Sequence, residues 1–231
     1  MNPRAALRQT RDLLQLPVVR IDMAGDAQAK ELYRYFTRRH PRWRVIRNKV
    51  WGVALLGIPG DRPAYDRHVS RAMRRKVHRA ELAGFTFHPI KPLEHVDEIL
   101  QIHRSAPERQ GRPMHPDYAA EDRVRAVLGD TAEAFGVFDA EGVLRAYLCL
   151  RDCGEVVCIE RLLGHAASLE QGTMYLLFSG VVGWLIAYRE QGGRARWLQY
   201  DMFSGAAPGL RDFKHFVGFR PYRVRWRWRD T

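Results

Sequence analysis

A strand that passes through a short polar turn into a helix with no polar face leaves few folds open, and residues 156–177, VVCIERLLGHAASLEQGTMYLL, begin such a unit. VVCIERLL is β-branched and apolar, with Glu155, Glu160 and Arg161 as its charges, which reads as a strand. After a break at Gly164 to Gln171 comes TMYLLFSGVVGWLIAYRE, apolar on nearly every side, and a helix with that pattern must be buried. Strand, turn and buried helix together predict an α/β or α+β protein. Free backbone N–H groups and the positive dipole end gather at such a turn, a common place for a ligand.

A chain of 231 residues is long enough for one large domain or two small ones, and 46% hydrophobic residues supply a substantial core. Lys plus Arg number 38 against 26 Asp plus Glu, a formal charge of +12. That excess favours an anionic partner: nucleic acid, a phosphorylated ligand or a membrane surface. Most of the cations are Arg, whose forks suit phosphate, although a GC-rich genome gives the same bias. Cys149, Cys153 and Cys158 are odd in number and lack CxxC spacing or a nearby ligand set. They read as buried thiols in a reducing compartment, with no metal implied. MNPRAALRQTRDLL has no continuous apolar core, and the long apolar helix is interrupted by Tyr175, Ser179 and glycines. The expectation is a cytoplasmic protein without an integral membrane segment.

Along the chain, residues 1–16 form a basic amphipathic lead-in and PVVRIDM a short strand. DAQAKELYRYFTRRH is a helix capped by Asp26 and ended by Pro41, and RWRVIRNKVWGVALLGIPG holds one or two strands. The strands so far are enough to suggest two sheets. Residues 65–83 read as one helix with Val69, Met73, Val77 and Ala80 on a stripe, closed by Gly84. FTFHPI is a strand, a helix follows from Pro92, and a third helix runs from about Asp117 to Leu128. AEAFGVFD, VLRAYLCLRD and EVVCIERLL are joined by tight turns into an antiparallel meander. The buried helix, the strand RWLQYDMF, the helix GLRDFKHFV and the strand RPYRVRWRW complete a β-β-β-α-β-α-β order. In RVRWRWR, Arg alternates with Val and Trp, first of all the mark of a strand with one face buried, although Arg interleaved with aromatics also suits nucleic-acid bases.

That order resembles the GNAT acyltransferase fold over residues 85–228, a mixed, mostly antiparallel sheet flanked by helices. Residues 1–84 are then an N-terminal extension or partial GNAT-like half, and residues 85–231 the acyltransferase domain. Two phrases resemble the Fem branch, the transferases that use aminoacyl-tRNA: GLRDFKHFVGF at 209–219, and SRAMRRKVHRAELAGFTF at 70–87. GNAT enzymes cradle the coenzyme A pyrophosphate on a Gly-rich loop at the helix start. Here the stretch is HAASLEQGTMY, with the single Gly172. The resemblance implies transfer of an aminoacyl group from aminoacyl-tRNA to a small-molecule or peptide amine, with no further cofactor required. The alternatives are an acetyl-CoA or other acyl-CoA donor, whose pyrophosphate would meet side chains such as Arg161 and Gln171, or a non-catalytic nucleic-acid-binding module. Oligomeric state is left open.

Amide formation needs a neutral amine, a placed acyl carbonyl and stabilisation of the oxyanion. Glu160, mid-strand in the meander, is a candidate acid/base, with a cross-strand pair to a neighbouring Arg as its plain alternative. Asp201 is a candidate to take the amine's proton or hold its ammonium, against capping the turn at Ser204. The Fem-like phrase implies for Lys214 a contact with the tRNA end or with the developing charge. Arg211 and Arg220, with Arg74, Arg75, Lys76 and Arg79 on the basic helix, are candidate phosphate contacts, against a solvated helix face. Arg109 and Arg112 in a loop, with Arg161 and Tyr200, are candidate substrate contacts. His103, His115 and His165 show no metal or triad spacing and read as satisfied structural histidines.

Overall fold

In the computed structural model, residues 13–41, 44–109 and 112–230 are described, the side chain of Arg112 excepted. Eight strands form one sheet in the order β1-β10-β2-β9-β8-β7-β6-β3. They are β1 (Val18–Met23), β2 (Trp51–Gly57), β3 (Thr86–Pro89), β6 (Glu133–Phe138), β7 (Leu144–Asp152), β8 (Val156–Gly164), β9 (Trp197–Met202) and β10 (Arg220–Trp228). Two short strands, β4 (Glu108–Arg109) and β5 (Arg112–Pro113), pair as a separate hairpin. The N-terminal strands therefore do not make a second sheet. β1 adds in parallel to β10, and β2 inserts antiparallel between β10 and β9.

Helix α1 (Ala27–Thr37) starts where the Asp26 carboxylate accepts the Ala29 N–H at 2.8 Å. The single helix expected over 65–83 is two, α2 (Arg62–His68) and α3 (Arg71–Leu82). The Ser70 hydroxyl caps the second by accepting the Met73 N–H at 3.1 Å, and a side chain that takes up helix donors in this way starts a helix rather than continuing one. α4 (Val96–Arg104) and α5 (Glu121–Gly129) follow. α5 begins later than Asp117, because residues 116–118 form a 3-10 turn of their own. α6 (Thr173–Glu190) and α7 (Pro208–Phe216) complete the set.

α6 lies between the sheet and α3, and Leu177, Phe178, Val181, Val182 and Leu185 on it are fully buried. That explains its lack of a polar face; truncating one such side chain to alanine costs about 2–5 kcal/mol. α1 covers the opposite sheet face over Ile21, Val224 and Trp226, and α4 and α5 cover that face at Leu144, Tyr147 and Leu163. In β10, Val224 and Trp226 are buried while Arg225 and Arg227 are exposed, the period-two pattern of a strand. The three cysteines are buried free thiols. Among the described residues no helix is long and apolar enough to cross a membrane.

Candidate active site

β8 and β9 run parallel and pair only at Val156–Trp197, Val157–Leu198 and Cys158–Gln199. Beyond that point β8 stays with β7 as far as Gly164, opposite Ala146, and β9 stays with β2 as far as Met202, opposite Val53. The two strands thus splay, and the sheet opens in a wedge. A cavity of about 390 Å³ meets the wedge on the α1 face, and one of about 450 Å³ meets it on the α6 and α7 face. Leu162 and Tyr200 line both.

The β8 bank carries a bulge. Ile159 stands opposite Leu150 and Arg161 opposite Cys149, so Glu160 is an extra residue without a partner in the ladder. Strict alternation would send Glu160 and Arg161 to opposite faces; the bulge lets both line the α1-side cavity. Glu160 makes the cross-strand pair named as its plain alternative: Arg151 Nε donates to Glu160 Oε1 at 2.7 Å. Arg151 is 4% exposed, and its other nitrogens donate to Asp26 Oδ2 at 3.2 Å and to the Asp130 carbonyl. The neighbouring carboxylates hold its pKa above the ordinary value despite burial.

The β9 bank holds Asp201, whose φ of 48° lies in the left-handed region. An L residue costs roughly 1–2 kcal/mol there, and such strain collects at functional sites. Its side chain is 62% exposed and pairs with Lys49, itself 13% exposed. Asp201 does not cap the following turn, since the Ser204 N–H goes to the Gly52 carbonyl at 3.1 Å. Beneath lies Lys214, fully buried on α7, with Nζ donating to the Met202 carbonyl at 2.7 Å and standing 4.2 Å from the Tyr200 ring centre. Burial lowers its pKa to about 8, against the opposing pull of Asp201. Tyr200 is pushed upward, chiefly by burial.

The other predicted residues divide by location. Arg109 closes the α6-side cavity, donating to the carbonyls of Gly164 at 3.0 Å and Ile102 at 2.7 Å, with Nε unpartnered among the described residues. Burial depresses its pKa. Lys76 lies 5.1 Å from the ring centre of Tyr175, which lines the same cavity. Arg75, Arg79 and Arg211 are exposed, and exposed Arg74 donates to the Asp66 carbonyl at 2.6 Å. Arg220 donates to the carbonyls of His215 at 3.1 Å and Phe219 at 2.8 Å, at the end of α7. The side chain of Arg112 lies outside the described residues; its backbone pairs with Arg109. No local sequence signal marks Lys49 or Arg151 as part of this site. Lys49 is one of several cations in RWRVIRNKV, and nothing local marks it as Asp201's partner.

At the α6 start, Gly172 has φ 92° and makes no side-chain cap bond. A Cβ there would stand 2.5 Å from the Lys76 carbonyl oxygen, so α3 closes over this turn and only glycine fits. His103 is satisfied as expected. Nδ1 faces the Tyr118 carbonyl at 2.7 Å and is the donor, which leaves Nε2 to accept from the Tyr147 hydroxyl at 2.6 Å. Burial lowers its pKa to about 4.

No protein-family model matches the chain, and no curated protein matches it. Among solved structures it is similar to FemX, with a TM-score of 0.57 and 12% identity over 74% of this chain and 59% of that one. It is also similar to a conserved protein of unknown function from Bacteroides thetaiotaomicron, at TM-score 0.51 and 10% identity over 71% and 54%. A weaker likeness, TM-score 0.47 and 16% identity over 73% and 57%, is to L-PGS from Bacillus licheniformis. The chain spans less than two thirds of each of these proteins. At such identities the likeness is one of fold alone, and it is to the fold of FemX, whose branch the phrases at 70–87 and 209–219 resemble.

Proposed function

We propose that the chain is an N-acyltransferase of the Fem-like kind that passes an aminoacyl group from aminoacyl-tRNA to an amine. The wedge between β8 and β9 carries this reading. Cavities on the two sheet faces meet at it and share Leu162 and Tyr200 in their walls, so a donor held on one side and an acceptor on the other are brought to the same two side chains without competing for space. The donor belongs on the α6 and α7 side. Exposed Arg211 lies on α7, which lines that cavity, and the half-buried Lys76 reaches Tyr175 in its wall from α3, which also carries exposed Arg75 and Arg79; such cations suit a phosphate backbone. The covered turn at Gly172 offers no open pyrophosphate cradle, which favours tRNA over coenzyme A.

The acceptor then lies on the α1 side, beside Asp201. Its neutral amine attacks the ester carbonyl: the C–N bond forms, the ester C–O bond breaks, the amine proton passes to Asp201, and the tRNA hydroxyl leaves after taking up a proton. Asp201 is the catalytic residue in this reading. Glu160 fixes the bulge through Arg151, and Lys214 is a positioning residue that holds the Tyr200 ring and the Met202 carbonyl.

The test is amide formation with purified chain, bulk aminoacylated tRNA and a mixed amine pool, with acetyl-CoA in a parallel reaction. Product that disappears on RNase treatment, with tRNA binding that weakens steeply with salt, supports the proposal. Product and thermal stabilisation with acetyl-CoA alone would replace the tRNA donor by coenzyme A.

A further inference from the structure

A third cavity, about 500 Å³, adjoins the wedge on the α1 face between α5 and β7. Arg161 lines both it and the α1-side cavity of the wedge, so the two share a wall at that side chain. Its volume is in the range that takes up a whole small molecule. One wall is apolar, from Val124, Val127 and Leu128, and the floor is the closed pair of His103 and Tyr147. With Nδ1–H spent on a carbonyl and the Tyr147 hydroxyl proton on Nε2, that pair has no donor left to offer an anionic ligand.

The charge is what lacks an answer. Arg161 is half-buried, lies 5.5 Å from the Tyr118 ring centre and makes no ion pair among the described residues. The nearest carboxylate in sequence, Glu160, already holds Arg151. The one carboxylate in the cavity wall, Asp117, is on the exposed rim, 3.4 Å from His115. A guanidinium that is partly desolvated, stacked on an aromatic ring and free of a carboxylate is arranged to take a planar anion in a forked contact.

We infer that this cavity binds the carboxylate of the acceptor, which makes the acceptor a free amino acid whose carboxylate meets Arg161, whose amine points along the shared wall towards Asp201, and whose side chain lies on Val124, Val127 and Leu128. The word acceptor rests on the transferase reading; the carboxylate site does not. Arg123, which lines the cavity from α5, adds a second positive charge.

Calorimetric titration of the full chain with each of the twenty amino acids beside its own carboxamide tests the site directly. At least one acid binds tenfold or more tightly than its amide, Arg161→Gln erases that difference at an unchanged melting temperature, and Arg161→Lys restores part of it. Val127→Trp, which fills the cavity and leaves the charge, weakens the same acid at least tenfold. The inference falls if no pair differs, if the preference survives Arg161→Gln, or if inorganic phosphate binds more tightly than every amino acid. Carboxylate binding without transfer from any donor would sink the transferase reading and leave the site standing. Transfer that ignores the carboxylate would do the reverse.

Discussion

Two buried cations flank the wedge, and their surroundings could hardly differ more. Arg151, on the β8 side, is enclosed by Glu160, Asp26 and a carbonyl, and its pKa rises. Lys214, on the β9 side, has a carbonyl and an aromatic ring in contact, and its pKa falls to about 8. A cation with all its donors answered is a clamp: it fixes where the bulge sits and has nothing to give a substrate. A cation held with too little counter-charge is costly for the fold, and a fold that keeps one has a use for it. The difference sets a closely paired cation on one bank against a sparsely bonded one on the other.

The largest effect expected on breaking the comparison is from Arg151→Met, which leaves Glu160 without its partner in a partly buried setting and destabilises by about 3–5 kcal/mol in urea titration. Lys214→Met frees the Tyr200 ring and the Met202 carbonyl and lowers turnover about 10²-fold, the cost of a small misplacement beside the reacting groups. Its effect on stability shows in the pH dependence. The folded pKa of Lys214 lies below the unfolded value of 10.5, so between pH 8 and 10.5 the unfolded chain holds more protons and wild-type stability rises with pH. Lys214→Met flattens that rise, removing a pH-dependent gain of roughly 3 kcal/mol between pH 8 and 10.5; parallel urea curves at pH 7 and 10 measure it.

Exchanging the carboxylates sharpens the contrast. Asp201→Asn keeps the left-handed backbone tolerable and cuts turnover by about tenfold or more, within the contribution of a proton acceptor. Glu160→Gln loses about 1–2 kcal/mol of stability and changes turnover less than threefold; the reverse outcome would exchange the roles of the two banks. The smallest effect at neutral pH is at His103. Its folded pKa of about 4 lies below the ordinary 6.5, so it is neutral in the fold and its contribution fades as pH falls from 6.5 to 4. His103→Gln makes acid unfolding less steep over that window and leaves stability at pH 8 within about 1 kcal/mol of wild type.

Much of this architecture is legible in residue order. The meander, the helix without a polar face and the alternating Arg and Trp of β10 each follow from local periodicity and burial, and the phrases around 70–87 and 209–219 resemble the branch whose fold the chain shares. What periodicity cannot reveal is distance across the sheet. Lys49 meets Asp201 only because β2 inserts next to β9, and the single sheet, where two were expected, has the same origin: β1 and β2 find their partners in the last strand. The bulge is equally silent, since one extra residue in β8 leaves the strand's composition unchanged and alters only where Glu160 and Arg161 point. Ser70 is the exception. A hydroxyl residue before an amphipathic run is a cap signal, present in RHVSRAM but masked by the apolar stripe that continues on both sides of it.

The place of β10 between β1 and β2 also bears on synthesis. β1 lacks its sheet neighbour, and β2 one of its two, until residues 220–228 have been made, so the edge of β2 that will face β10 stays unpaired until then. Long-range pairing of this kind slows folding and prolongs the exposure of sticky segments. The β1 and β2 side of the sheet is therefore completed late, and nascent copies depend on whatever shields that edge in the interval.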